Sequence, residues 1–96
     1  MSVSSFLVYS DPSHSWIKVK KSTLKFYFGD NWRKHFTSYS YERNWHVYLE
    51  EDQDARTFID KLKSWGIEPK FRVQQTKSNR LSRIRDYDCL APIELS

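Results

Sequence analysis

"WIKVK", Trp16 to Lys20, decides the fold. Ile17 and Val19 alternate with Lys18 and Lys20, a period of two that an extended strand converts into one apolar face and one wet face. Trp16 falls on the lysine side, where its indole can cover the edge of its own strand. A strand of this kind needs a sheet around it and an apolar layer against Ile17 and Val19.

Both are available nearby. Upstream, "FLVYS" (Phe6 to Ser10) reads as a strand that runs into a turn at Asp11-Pro12. Downstream, Ser22 is placed to cap a short helix carrying Leu24, Tyr27 and Phe28, and Gly29 to end it in a left-handed conformation. Trp32 and Phe36 stand four apart, which permits another helical turn. "TSYSYERNWHVYLEED" predicts a hairpin with a turn at Glu42 to Asn44. In it Trp45, Val47 and Leu49 share one face while His46 and Tyr48 point the other way. In "DQDARTFIDKLKSWG", Ala55, Phe58, Ile59 and Leu62 form a helical stripe, with Asp52 or Asp54 as cap and Gly66 as stop. "KFRVQQ" follows, alternating Phe71 and Val73 with Lys70 and Arg72. The expected fold is therefore α+β: a small mixed or antiparallel sheet, one long helix packed on one face, and one short helix. Residues 1–90 are expected to form a single domain, followed by a C-terminal tail at 91–96.

Size and composition narrow the function classes. A chain of 96 residues has room for one hydrophobic core, and its sixteen aromatic residues (4 Trp, 6 Tyr, 6 Phe) argue against disorder. Two glycines leave no Gly-rich phosphate cradle, so a Walker-type nucleotide site is excluded. A single cysteine, Cys89, cannot form an internal disulfide, and the start "MSVSSFLVYSDP" has neither a signal-peptide pattern nor a membrane span. These features lead us to expect a cytoplasmic protein with no membrane association. No nucleophile–base pairing, paired catalytic carboxylates or metal-ligand spacing is legible, so the expectation is a non-enzyme with no cofactor and no metal.

The net charge of +4 is distributed in blocks. Six cations face only Asp30 between Lys18 and Lys34, six anions face Arg43 and Arg56 between Glu42 and Asp60, and eight cations face only Glu68 between Lys61 and Arg85. The last block contains "KSNRLSRIRDYD". As a helix it groups Arg80, Arg83 and Tyr87, and as a strand Arg83, Arg85 and Tyr87. Guanidinium groups grip phosphates through paired hydrogen bonds and a tyrosine ring can stack on an unpaired base, which suits a nucleic acid. The plain alternative is a solvated, cation-rich terminus partly neutralised by Asp86 and Asp88. Lys18, Lys20, Lys21 and Lys25 would extend such a patch if folding brings them beside Arg72, Arg80 and Arg83. Otherwise they are the wet side of a strand and helix.

Two further stretches invite a reading. "DPSHSW" puts a carboxylate, His14 and Trp16 within six residues of exposed loop, as a recognition element would. Equally, Asp11 can cap the turn, His14 can bond locally and Trp16 can fill the core edge. "LEEDQD" resembles a cation site, but carboxylates opening a helix are what capping and the helix dipole favour.

The chain as a whole resembles a group of small bacteriophage- and plasmid-encoded proteins. The resemblance rests on "SDPSHSW", on "SYSYERNWHVYLEED" with the helix after it, and on "SRIRDYD", and it covers Tyr9 to Tyr87. Where that pattern has a plain Leu-Gly-Ile type turn after the first helix, this chain has "FYFGDNWRKHF". The resemblance implies a setting, an accessory protein of a mobile element in a bacterial host, and carries no activity with it. The residues point first to a nucleic-acid partner held by Arg72, Arg80, Arg83, Arg85 and Tyr87, assisted by His14 and Trp16. The alternative is a protein-binding inhibitor or adaptor acting on a host enzyme or defence complex through exposed aromatic anchors. A pocket for a small anionic metabolite near Asp11 is a third option. Oligomeric state is not readable.

Overall fold

The alternation at Trp16 to Lys20 places β2 (Ser15–Lys20) in the interior of a sheet. A computed structural model describes residues 2–11, 14–37, 39–75 and 88–89. Among them the elements follow as β1 (Ser2–Ser10), β2, α1 (Lys21–Phe28), a 3-10 turn (Trp32–His35), β3 (Tyr41–Arg43), β4 (His46–Glu50), α2 (Asp54–Ser64), β5 (Ile67–Gln75) and β6 (Asp88–Cys89). The strands form one sheet in the order β5-β1-β2-β4-β3-β6. β1 and β5 run parallel and every other pair is antiparallel, so the fold is α+β with a mixed sheet. The 91–96 tail and the arginine-rich stretch at 77–87 lie outside the described residues.

Ile17 and Val19 are buried in one cluster with Leu24 of α1, Val47 and Leu49 of β4, and Ala55, Phe58 and Leu62 of α2. Trp32 and Phe36, the pair four residues apart, join the same cluster from the 3-10 turn. Phe58 is fully buried, and the edge of its ring meets Phe6 of β1 at a centroid distance of 5.1 Å.

Several local expectations are corrected by tertiary contacts. α1 begins at Lys21, directly out of β2, and Ser22 is not its cap. The Lys21 N–H instead donates to the carbonyl of Trp45 at 2.8 Å, so the neighbouring hairpin turn satisfies it. At the other end Gly29 stops the helix as expected and takes a positive φ of +86°, but with an extended ψ of −170° instead of the left-handed helical value, and its N–H donates to the Lys25 carbonyl. The hairpin turns at Asn44-Trp45, with Arg43 opposite His46, rather than at Glu42 to Asn44. Asn44 takes the positive φ that asparagine tolerates, and Trp45, pushed into the turn, is 80% exposed instead of sharing the face of Val47 and Leu49. On β5, Phe71 and Val73 follow the expected alternation but stay largely exposed, because β5 is an edge strand.

The largest departure is Asp54. It is the first residue of α2 and almost fully buried, and Gln53 precedes it without a side-chain cap. Its carboxylate accepts from the Thr37 N–H at 3.0 Å, the Thr37 hydroxyl at 2.8 Å and the Ser40 hydroxyl. Ser40 in turn accepts from the Glu50 N–H at 2.9 Å. One carboxylate thereby ties the start of α2 to the entry of β3 and the end of β4, at a helix end whose dipole favours negative charge.

Asp54→Ala is predicted to cost about 3 kcal/mol or more, since hydrogen bonds to a charged group are each worth about 1.5 to 3 kcal/mol and buried donors are left unsatisfied. Exposed Asp52→Ala should stay within about 0.5 kcal/mol. Urea denaturation of the two variants gives the comparison, and equal losses would remove the special role of Asp54.

Candidate functional site

The face of the sheet opposite Ile17 and Val19 is built by the same alternation. Leu7 lies opposite Lys18 on one side and opposite Arg72 on the other, and Lys18 continues to Tyr48 and Tyr41. Arg72, Leu7, Lys18, Tyr48 and Tyr41 are thus one cross-strand row on one face. With strands about 4.8 Å apart, Arg72 and Lys18 have backbones separated by roughly 10 Å. Two residues along, Lys70 lies opposite Ser5, and Lys20, His46 and Arg43 line up across β2, β4 and β3. Two residues the other way, the row is Gln74, Tyr9, Trp16 and Glu50.

This face is polarised. Lys18, Lys20, Arg43, Lys70 and Arg72 with His46 occupy one half, where Glu68 is the anion that β5 contributes. Glu50, followed by Glu51 and Asp52, closes the other end. Between them lies an aromatic layer: Trp16 and Tyr48 are buried, with Tyr9 and Tyr41 packed against them. The Tyr9 and Tyr48 rings are 6.0 Å apart, those of Trp16 and Tyr41 6.3 Å, and the Lys18 ammonium sits 5.9 Å from the Tyr9 centroid.

Two of the four lysines considered as a track are not on this face. Lys21 donates to Glu42 at 2.9 Å, a carboxylate that also receives both terminal nitrogens of Arg33 at 2.8 and 3.0 Å, while Lys25 pairs with Asp30 at 3.4 Å. Lys18 and Lys20 share a face with Arg72 and Lys70, with β1 between the two pairs, while Arg80 and Arg83 lie outside the described residues. Lys18, Lys20, Lys70 and Arg72 form no ion pair among the described residues.

The remaining predicted residues are divided. Arg80, Arg83, Arg85 and Tyr87 lie outside the described residues. His14 and Trp16 sit at the acidic end, away from Arg72. The His14 N–H donates to the Asp11 carboxylate at 2.9 Å, the Asp11 N–H returns to the His14 carbonyl at 2.8 Å, and the His14 Nδ1 is 3.8 Å from Glu51. Asp11 therefore builds the turn. Trp16 is only 2% exposed, so its ring supports the face from below. The two residues border a cavity of about 410 Å³ shared with Tyr39, Tyr41, Glu50 and Asp52.

Sequence reasoning did not single out Tyr9, Tyr41, His46, Tyr48 or Lys70. The outward alternation of His46 and Tyr48 was the available signal, but which strands lie beside β2 depends on long-range pairing. A second surface was also not located: the rings of Phe26, Tyr27 and Trp65 cluster with centroids 5.0 to 5.5 Å apart where α1 meets the end of α2, with Phe26 and Trp65 exposed.

Among the described residues, no helix is long and apolar enough to cross a membrane and no three His, Cys, Asp or Glu side chains group as metal ligands. No family model matches the chain, and no curated protein or solved structure matches it.

His46 reports on the cationic half. Its pKa is lowered from the ordinary 6.5, first by burial and then by the charges of Lys18 and Lys20. The unfolded chain takes up this proton near 6.5 and the folded one only at lower pH, so this contribution to stability is present above 6.5. It is lost as pH falls through the folded value. Followed by NMR, the His46 titration of a Lys18→Gln, Lys20→Gln double variant is expected to move upward yet stay below 6.5, because burial is the larger cause. An unchanged titration would show that the two lysines do not act on this face together.

Proposed function

We propose that the protein is a small non-enzymatic binding protein that holds a phosphate-rich partner, single-stranded or structured nucleic acid, against the cationic half of its open sheet face. The observation that carries this reading is the row joining Arg72 to Lys18 through Leu7, with Lys70 and Lys20 in the next row. With the long helix α2 taken as laid across the opposite face, Lys20, Lys70 and Arg72 are exposed on this one. Arg80, Arg83, Arg85 and Tyr87 are retained as contacts on sequence grounds alone.

Affinity would come from neutralising phosphates and releasing their counterions, with tyrosine edges offering apolar contact to bases. Backbone contact of this kind carries little sequence preference. The setting we propose is the cytoplasm of a bacterial host, as an accessory product of a phage or other mobile element, in keeping with the pattern of "SDPSHSW" and "SRIRDYD".

A second reading has its own observation. The cluster of exposed Phe26 and Trp65 on half-buried Tyr27 is of the residue types that anchor protein interfaces, and it favours an inhibitor or adaptor of a host protein. Pull-down from a bacterial lysate with and without nuclease separates the two, since a partner that survives nuclease supports the second.

For the leading reading, log K against log salt should fall with a slope of about −0.7 to −0.9 per phosphate neutralised. Lys18→Gln with Arg72→Gln is expected to reduce that slope by about one to two and weaken binding of all sequences alike, while Lys25→Gln leaves it unchanged. A flat salt titration, or a double variant that binds like the unmodified protein, rejects the proposal.

A further inference from the structure

The acidic end of the open face holds a cavity whose chemistry is opposite to that of the cationic half. Its volume is about 410 Å³, at the small end of the range for ligand sites. Three rings wall it: Trp16, whose indole is buried beneath, Tyr41 beside it at 6.3 Å, and Tyr39, whose ring is 72% exposed at the mouth.

Two carboxylates, Glu50 and Asp52, share the rest of the lining with His14 and Gln53. Glu50 is held in place, its Oε1 accepting from the Asp52 N–H at 2.9 Å and its Oε2 from the Gln53 N–H at 3.4 Å. The Asp52 carboxylate is exposed and forms no ion pair among the described residues.

Carboxylates opening a helix are ordinarily capping groups, but Glu50 holds the turn that precedes α2, accepting from the Asp52 and Gln53 N–H groups. The ring-walled cavity is what adds a ligand to the account. Aromatic faces carry negative potential, so rings and carboxylates around one space all favour positive charge. An anion would meet Glu50 and Asp52 together. A hard metal ion would need six or more oxygen ligands, and no three candidate metal ligands group among the described residues. The occupant that uses both the π faces and the carboxylates is an organic cation.

We infer that this cavity is a binding site for a single organic cation of guanidinium or ammonium type, of the size of an arginine side chain or a quaternary ammonium group. The cation seats against Tyr39 and Tyr41 over the Trp16 indole, with Asp52 as its counter-charge and Glu50 as the fixed negative wall. The site is separate from the proposed polyanion surface and stands whether or not that surface binds nucleic acid.

The test is an amide and indole NMR titration of the intact chain with choline, with arginine methyl ester, with a short peptide carrying one arginine, and with the uncharged carbon isostere of choline. The expected result is saturable shifts at the Trp16 indole N–H and at the amides of Tyr39 to Tyr41 with each cation, and none with the isostere. Asp52→Asn and Tyr39→Ala, both at exposed side chains, should each weaken binding about three- to tenfold. Tighter binding of the peptide than of the free cations identifies a protein side chain as the source, and equal binding a small molecule; either supports the site. Equal binding of choline and its isostere, shifts confined to other surfaces, or undiminished binding by a folded Asp52→Asn, Tyr39→Ala double variant overturns it.

Discussion

The structure depends on the alternation of β2 within the sheet. Held between β1 and β4, that strand sends Ile17 and Val19 into the core and Trp16, Lys18 and Lys20 to the opposite face, where Trp16 is itself buried with Tyr48. Because side chains switch faces at every residue, a slip of one position in either pairing would bury lysines and expose the core. A one-residue slip is thereby excluded in both ladders, and the observed register of β1 with β2 and β5 puts Lys18 level with Arg72 through Leu7. The face taken by Lys18 and Lys20 follows from the requirement to bury Ile17 and Val19.

The second constraint is polar. Asp54 binds Thr37 and Ser40, and Ser40 binds the backbone of Glu50, so the segment entering β3, the end of β4 and the start of α2 meet at one buried carboxylate. Tyr39 and Tyr41 flank Ser40, and Glu50 is the residue whose side chain shapes the acidic cavity. The network that positions the helix also positions the rings and carboxylates of the open face's acidic end. A fully satisfied buried polar network of this type specifies one arrangement because its alternatives leave donors without acceptors.

The elements whose signals are local were legible. The period of two at Trp16 to Lys20, the helical stripe at Ala55, Phe58 and Leu62, and the stop at Gly29 each involve residues a few positions apart. What was not legible depends on partners far away in the chain. The start of α1 is satisfied by the carbonyl of Trp45, more than twenty residues on, so Ser22 is not needed as a cap. Trp45 reads as a core residue by spacing alone, yet the hairpin register places it in the turn. Asp54 reads as a cap and is instead the acceptor for two residues from another segment. The site shows the same division: cations and rings were visible as types, but β5 pairing parallel to β1, which brings Arg72 and Lys70 beside Lys18 and Lys20, has no local signature.

The open face carries opposite charge at its two ends with an aromatic layer between, and this polarity is the physical content of the functional proposal. Cations on neighbouring strands act together on a polyanion because a rigid sheet holds their spacing without further ordering cost. The most direct test of the central claim is amide NMR mapping of the intact chain with a short single-stranded oligonucleotide at low salt. The account predicts perturbations concentrated at Lys18, Lys20, His46, Lys70 and Arg72. Perturbations centred on Phe26, Tyr27 and Trp65, or none at any concentration, would contradict it.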